Sequence, residues 1–311
     1  MPIKIADGLS AKEKLHEEGI FTIDKGLALH QDIRPLRILI LNLMPLKKPT
    51  ELQLLRLLGD SPLQVEVDFC HTDSHESTHT DPSYLEENYY VFDEIKDNYY
   101  DGFIITGAPV EQIPFESVDY WPEMKTYFEW AKTHAFSTLH FCWGAQAALY
   151  YYYGIEKRLL PAKLFGIFEY QLTQKHHLLL RGFDDRYFIP QSRHTAINDI
   201  QVYNTPQLDI LSRSVENGIN IIGTPDHRRF FVLGHFEYDR RTLEEEYLRD
   251  KKKGLPIAVP KNYYPGDNDT KQPYFTWCSY AHLFYHNWLN IVYQETPYDL
   301  QAIAKVHPCA H

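Results

Sequence analysis

Between Arg37 and Gly154, short apolar runs alternate with longer helical patterns. The predicted strands, each short and rich in aliphatic or aromatic residues, are 38–43, 64–69, 103–106 and 137–141. The predicted helices, which carry apolar or small residues at helical spacing, are 49–59, 121–133 and 143–153. Such alternation favours a mostly parallel sheet with helices on both faces. We therefore expect an α/β fold.

The second half of the chain is richer in strands. Strands are predicted over 166–171, 208–212, 220–223 and 230–233, and helices over 242–253 and 276–294, with a polar loop at 261–273. We expect an N-terminal arm over 1–35, one α/β domain over 36–300 that includes the helix 276–294, and a tail over 301–311. In the arm, Ser10 and Glu13 match a capping box and Gly19 a helix stop, which predicts a short helix between them.

Composition and charge limit the kinds of binding partner and the cellular compartment that we expect. The formal net charge of −11 argues against nucleic acid as the main partner. Four cysteines at 70, 142, 278 and 309 lack the spacing of a zinc ribbon or a disulfide framework. The start of the chain does not resemble a signal peptide, and the longest apolar run, 38–41, is too short to span a bilayer. We expect a cytoplasmic protein with no membrane partner.

Cys142 stands between a buried strand and a helix with small residues at its start. A thiol at a helix N-terminus lies beside unpaired amide groups and the positive end of the helix dipole, which favour a thiolate nucleophile. The small residues Gly144, Ala145 and Ala147 allow the tight packing of a nucleophile turn, and the Trp143 amide is then an oxyanion donor. The alternative is a small buried side chain without chemistry.

His235 follows the predicted strand 230–233, and Glu237 comes two residues later. In an extended chain these two side chains face the same way, so Glu237 orients the imidazole. A thiol, an imidazole and an orienting carboxylate are the parts of a covalent acyl-transfer site. The pair alone is a weak signal, because most lone histidines are structural. Its combination with Cys142 strengthens the interpretation.

Three further charged residues are candidates for binding. Lys47 follows a strand end and suits an acyl or phosphate oxygen, or a solvated surface. Glu111, after Gly107, shapes an acyl pocket or is a surface charge. Arg249 meets a substrate carboxylate or forms helix pairs. We expect the strand ends at 44–47, 106–111 and Cys142 to line one cleft, because ligands of parallel sheets bind beyond the carboxyl ends of the strands.

The sequence gives weaker support for two other kinds of site. His71, His75 and His79 align if helical, but the residues between them favour turns, so we expect no metal site. Ser137 and Ser192 lack a nucleophile-elbow pattern, which disfavours a serine hydrolase.

Six ordered blocks resemble the homoserine O-acyltransferases of methionine biosynthesis, the branch with a class I glutamine-amidotransferase-like, flavodoxin-like fold. The blocks are 41–47, 101–109, 142–148, 181–185, 234–239 and 287–300. The resemblance covers about residues 1–300. One departure is Phe236, where many relatives have Pro; His235 and Glu237 on either side of it match.

This resemblance implies a ping-pong reaction in which Cys142 carries the acyl group as a thioester. His235 is then the general base for the thiol and later for the homoserine hydroxyl, and Glu237 orients it. The matching substrate-binding positions are Lys163, Ser192 and Arg249, with Lys47 near the oxyanion site. The resemblance also suggests a homodimer.

Glu111 matches the family position that tracks the choice of acyl donor. A Gly there leaves room for a succinyl chain, whereas Glu fills the space and repels its free carboxylate. We therefore expect acetyl-CoA as co-substrate, L-homoserine as acceptor and no bound cofactor. The alternatives are the same reaction with succinyl-CoA, a glutamine amidotransferase-like hydrolase and a non-enzymatic thiol sensor.

Overall fold

A computed structural model describes residues 3–5, 9–17, 22–24, 34–75 and 80–306. The strands found there are β1 Ile3–Ile5, β2 Thr22–Asp24, β3 Leu36–Leu41, β4 Val65–Cys70, β5 Tyr89–Tyr90, β6 Tyr100–Ile105, β7 Ala135–Phe141, β8 Lys157–Leu172, β9 Arg186–Ile197, β10 Asp209–Ser214, β11 Gly218–Gly223 and β12 Arg229–Val232.

The helices in the same residues are α1 Ala11–Glu17, α2 Lys47–Gly59, α3 Pro82–Asn88, α4 Phe92–Ile95, α5 Trp121–His134, α6 Trp143–Tyr153, α7 Asp199–Tyr203, α8 Thr242–Lys252, α9 Cys278–Glu295 and α10 Ile303–Val306. Among these described helices, none has the length and apolar character needed to cross a bilayer.

The described strands form one sheet in the order β2-β1-β4-β3-β6-β7-β12-β11-β10-β8-β9, with β5 paired to β4. Pairing is parallel from β2 to β12 and antiparallel from β12 to β9. The carboxyl ends of β3, β6, β7 and β12 therefore meet at one edge of the sheet.

Two apolar clusters cover the two faces of this sheet. Along β12, Phe230 and Val232 belong to one cluster and Phe231 to the other, as the alternation of side chains in a strand requires. The first cluster includes Phe284 of α9, and the second includes Met124 of α5. Helices thus pack on both faces, which confirms the α/β class expected from the sequence.

The predicted bounds of helices and strands agree best with the structure in the first half of the chain. The helix expected at 143–153 has those bounds, and Gly154 ends it with a left-handed φ of 67°. The expectation for 166–171 was wrong in extent, because β8 begins nine residues earlier, at Lys157. The sequence did not predict β9, or that β1 and β2 of the arm join the sheet. The arm helix is α1; Gly19, its expected stop, lies outside the described residues.

Candidate active site

Cys142 occupies a strained turn between β7 and α6. Its φ is 47° and its ψ is −113°, a conformation that non-glycine residues rarely adopt. The Cys142 amide donates to the Val232 carbonyl oxygen at 2.8 Å, which ties the turn to β12. Strain of this kind persists only where the surroundings fix it, and it clusters at functional sites. Cys142 as a whole is 5% exposed.

His235 and Glu237 form a buried pair beyond the end of β12. Nδ1 of His235 lies 2.6 Å from Oε1 of Glu237. The chain does not stay extended here, contrary to the expectation from the sequence: the Tyr238 amide donates to the His235 carbonyl oxygen at 3.4 Å, which closes a turn. The turn, rather than the alternation of a strand, brings the two side chains together.

Charge governs the protonation of His235. Burial lowers the pKa of the imidazole, but the Glu237 carboxylate and a Cys142 thiolate favour the imidazolium, and the net effect raises the pKa well above its usual value. Nε2 of His235 is buried and has no hydrogen-bond partner among the described residues. The Cys142 side chain acts on the same imidazole through its charge. This arrangement suits proton exchange between the imidazole and the thiol.

Gly107 lies where the thiol and the imidazole converge. A Cβ placed on it would lie 3.3 Å from Cβ of Cys142, 3.6 Å from Cε1 of His235 and 3.9 Å from Sγ. This close approach of the 106–111 loop was not predicted, although a Gly directly after a strand end is a usable signal. A second close approach positions His235, since a Cβ on Gly234 would lie 2.9 Å from the Pro190 carbonyl oxygen.

The strand ends that were expected to line one cleft are in contact with one another. The Leu43 amide donates to Oγ1 of Thr106 at 2.8 Å, and Gly107 packs on Cys142. Trp143 is the first residue of α6, where amide groups have no acceptor within the helix. Its backbone N–H therefore lies at the helix N-terminus beside Cys142, and its role as an oxyanion donor stays a prediction.

Lys47 is buried at the first turn of α2. Its Nζ donates to the Asn42 carbonyl oxygen at 2.5 Å. Burial lowers the pKa of Lys47 to about 8, although the nearby Glu51 carboxylate acts in the opposite direction. It lines a cavity of about 80 Å³ together with Met44, Pro109 and other residues of the strand-end loops. Lys47 is therefore on the expected edge of the sheet.

Lys163 and Ser192 meet at one carboxylate, that of Glu246. Oε2 of Glu246 accepts from Oγ of Ser192 at 2.5 Å and from Nζ of Lys163 at 3.3 Å, and Oε1 accepts from the Tyr238 hydroxyl at 2.8 Å. Arg249, on the same helix, donates from Nε to Asp250 at 2.7 Å, and Asp250 lies 3.8 Å from Nζ of Lys163. The three positions thus form one cluster, and Glu246, which sequence reasoning missed, is its centre.

Tyr238 connects this cluster to the group formed by Cys142, His235 and Glu237. Its ring stacks on the imidazole of His235, with centroids 4.1 Å apart and planes inclined by 19°. Tyr238 was also missed, although it lies next to Glu237 in the matched block 234–239.

Glu111 is held by β9. Its carboxylate accepts from the His194 amide at 3.0 Å and from Oγ1 of Thr195 at 3.4 Å. The single proton of the Thr195 hydroxyl is shared with Oε1 of Gln146, which lies closer, at 2.8 Å, and the backbone amide of Gln146 donates to the Cys142 carbonyl oxygen. Within residues 34–75 and 80–306, no hydrogen bond joins Lys47 or Glu111 directly to Cys142 or His235.

Two of the histidines considered for a metal, His71 and His75, line the same cavity as Lys47 but have different hydrogen-bond partners. Nδ1 of His71 lies 3.0 Å from the Thr72 carbonyl oxygen, and Nδ1 of His75 lies 2.7 Å from Asp119. His79 is outside the described residues. Over the residues that are described, no group of three His, Cys, Asp or Glu is arranged to hold a metal ion.

The comparisons with solved structures define an α/β protein whose fold is similar to that of glutamine amidotransferases. A glutamine amidotransferase from Thermotoga maritima aligns with a TM-score of 0.55 at 13% identity, covering 85% of this chain and 100% of that chain. A glutamine amidotransferase from Methylobacillus flagellatus aligns with a TM-score of 0.51 at 12% identity, covering 83% and 95%. At such identities the likeness concerns the fold alone.

The chain belongs to the homoserine O-succinyltransferase family, whose profile matches residues 2–298. Relatives named homoserine O-acetyltransferase include those of Agathobacter rectalis, 53% identical over 96% of this chain and 97% of its own, and Acetivibrio thermocellus, 53% identical over 97% and 100%. One from Geobacillus sp. is 54% identical over 96% and 99%. The resemblance found in the sequence is thereby confirmed.

Proposed function

We propose that this chain transfers an acetyl group from acetyl-CoA to the hydroxyl of L-homoserine, giving O-acetyl-L-homoserine and CoA for methionine biosynthesis. The observation that carries the proposal is the strained Cys142 turn beside the His235–Glu237 pair, which is 2.6 Å apart. The family and the names of its relatives support the acceptor and the acyl transfer.

In the first half-reaction, the Cys142 thiolate attacks the thioester carbonyl of acetyl-CoA. A C–S bond forms to Cys142, and the oxyanion accepts from the Trp143 amide at the helix N-terminus. When the intermediate collapses, the C–S bond to CoA breaks, and the His235 imidazolium returns a proton to the departing thiolate. The raised pKa of His235 keeps that proton available.

In the second half-reaction, the acyl-enzyme passes its acetyl group to an alcohol. His235 takes the proton of the homoserine hydroxyl at Nε2 as the oxygen attacks the thioester, and the Cys142 thiolate leaves. With Nδ1 held by Glu237, Nε2 is the atom free to act as base. Burial of Cys142 and His235 limits the access of water, which would otherwise hydrolyse the thioester.

The amino-acid substrate binds at the cluster around Lys163, Ser192 and Arg249. Arg249 is 51% exposed along its side chain, so its guanidinium is accessible to a carboxylate from solution. Lys47, which follows the loop at the end of β3, contributes positive charge where the acyl group binds. A reducing cytoplasm suits the free thiol of Cys142, and we include a cytoplasmic homodimer in the proposal.

Glu111 selects the acyl donor in this proposal. Its carboxylate accepts a hydrogen bond from the His194 amide of β9 at 3.0 Å, which favours this position of the side chain when the acyl donor binds. A succinyl group would bring a second carboxylate towards it, and unpaired like charges disfavour binding. The acetyl group carries no such charge.

The test compares initial rates with acetyl-CoA and succinyl-CoA for the natural chain, Glu111→Gly and Glu116→Gly. Glu116 lies in the wall of the same surface cavity and serves as the control. We expect at least about a tenfold preference for acetyl-CoA, lost in Glu111→Gly and kept in Glu116→Gly. A natural preference for succinyl-CoA would overturn the acetyl assignment and keep the enzyme class. Activity with neither donor, or glutaminase activity instead, would overturn the function.

A further inference from the structure

Glu246 lies inside the proposed amino-acid site but is not one of the positions that the family resemblance supplies. Its side chain is 15% exposed, as is that of Lys163. It accepts three hydrogen bonds, from Ser192, Lys163 and Tyr238. A carboxylate has about four lone-pair positions, so one acceptor position remains.

The charges around the substrate must match a zwitterion. The cluster offers two cations, Lys163 and Arg249, for the substrate carboxylate, and two carboxylates, Glu246 and Asp250, for the ammonium group. Asp250 is already paired with Arg249 at 2.7 Å, and its carboxylate lies 3.8 Å from Nζ of Lys163. Glu246 is paired more loosely with Lys163, at 3.3 Å.

Position also favours Glu246 over Asp250. Glu246 bonds to the Tyr238 hydroxyl, and the Tyr238 ring stacks on the imidazole that takes the proton of the substrate hydroxyl. In homoserine the ammonium group and the reacting hydroxyl lie on one short carbon chain, so the ammonium site must be close to His235. Glu246 is one aromatic side chain away from His235.

We propose that Glu246 accepts the α-ammonium group of the acceptor substrate and thereby selects amino-acid alcohols over other alcohols. The carboxylate of the substrate then faces Lys163 and Arg249. This inference rests on the proposed function, because it assigns the acceptor half of that site. The donor half, around Glu111 and Trp143, is independent of it.

The experiment compares two acceptors with acetyl-CoA as donor: L-homoserine, and 4-hydroxybutanoate, which lacks only the ammonium group. The variants are Glu246→Gln, which removes the charge but keeps the shape, Glu246→Asp, which keeps the charge, and Glu245→Gln. Glu245 is an exposed neighbour on α8 and is the matched control.

We expect Glu246→Gln to raise KM for homoserine by about ten- to a hundredfold, the range for a charged hydrogen bond, with a smaller change in kcat. Its kcat/KM for 4-hydroxybutanoate should change little, so the preference for homoserine collapses. Glu246→Asp should recover part of the preference, and Glu245→Gln should keep all of it.

Two results would overturn the inference while the proposed function stands. One is a Glu246→Gln enzyme that keeps the natural preference for homoserine. The other is an equal loss with both acceptors, which would mean that Glu246 only holds Lys163 and Tyr238 in place; if Glu246→Gln does not fold, the same comparison is made with Glu246→Asp, and an equal loss there has the same meaning. A natural enzyme that acetylates neither acceptor would instead overturn the proposed function.

Discussion

Gly107→Ala tests whether the thiol and the imidazole converge where the structure brings them together. The backbone of Gly107 does not have a positive φ, so alanine meets no conformational penalty and the effect is steric. The added methyl carbon would lie 3.3 Å from Cβ of Cys142. Carbon atoms prefer about 3.5 to 4.0 Å, so Cys142 must retreat by a few tenths of an ångström.

The size of the effect follows from that displacement. A misplacement of about 1 Å costs roughly a hundredfold in rate, so a few tenths of an ångström should slow acetylation of Cys142 about three- to tenfold. Quenched-flow mixing with acetyl-CoA, followed by intact mass measurement, gives this rate.

The control for Gly107→Ala is Gly154→Ala at the other end of α6. No atom lies within 4 Å of a Cβ at Gly154, but its φ is 67°. The variant should lose about 1 kcal/mol of stability and keep its acetylation rate. A Gly107→Ala enzyme that acetylates Cys142 at the natural rate would refute the geometry on which the mechanism rests.

Three further variants test charge and packing. Glu237→Gln removes the carboxylate that helps raise the pKa of His235, so the alkaline limb of the pH profile of acetylation should move to lower pH; an unchanged profile would contradict this. Because the pKa of His235 is higher in the folded than in the unfolded state, its protonation stabilises the fold below about pH 6.5, and this contribution is lost as the pH rises through the pKa of the folded state. Glu237→Gln should therefore lose most stability at acidic pH in urea titrations. Gly234→Ala places a Cβ 2.8 Å from Nε2 of Gln191 and should cost about 1 to 3 kcal/mol in thermal unfolding; an unaltered Tm would argue against that contact. For Lys47, a folded pKa of about 8 against 10.5 means that the unfolded chain binds more protons between these values, so stability should rise over that range and Lys47→Met should abolish the rise.

The parts of the fold that the sequence predicts are those with strong local signals. The helix α6 combines a run of small residues with Gly154 at its end, so both bounds follow from the sequence. By contrast, β9 carries Pro190, Ser192, Arg193 and His194, which read as a loop. It is the last strand of the sheet, and edge strands tolerate proline.

Tertiary contacts explain the rest of β9. Arg193 is 1% exposed, because its guanidinium donates to Oε1 of Gln191 at 2.9 Å and to the Thr195 carbonyl oxygen at 2.6 Å. Such compensation for a buried charge depends on the folded strand and leaves no pattern in the sequence. This strand matters for function, since it carries Ser192 and anchors Glu111.

The candidate site also has residues that the sequence predicts and residues that it does not. Cys142 and His235 follow the ends of adjacent parallel strands, so topology alone brings them together. Glu246 sits among Glu244, Glu245 and Tyr247 in an acidic first half of α8, where a carboxylate is usually a solvated charge. Only the contacts of Glu246 with Ser192 and Tyr238 distinguish it from its neighbours.

The central claim is that Cys142 carries the acyl group, and intact mass spectrometry tests it most directly. The protein is mixed with acetyl-CoA in the absence of homoserine, alongside Cys142→Ser and Cys278→Ser, the latter a partly exposed free thiol as control. We predict one acetyl group on the natural chain and on Cys278→Ser, none on Cys142→Ser, and its loss when homoserine is added. Turnover without an adduct at Cys142, or an adduct that homoserine does not discharge, would contradict the mechanism.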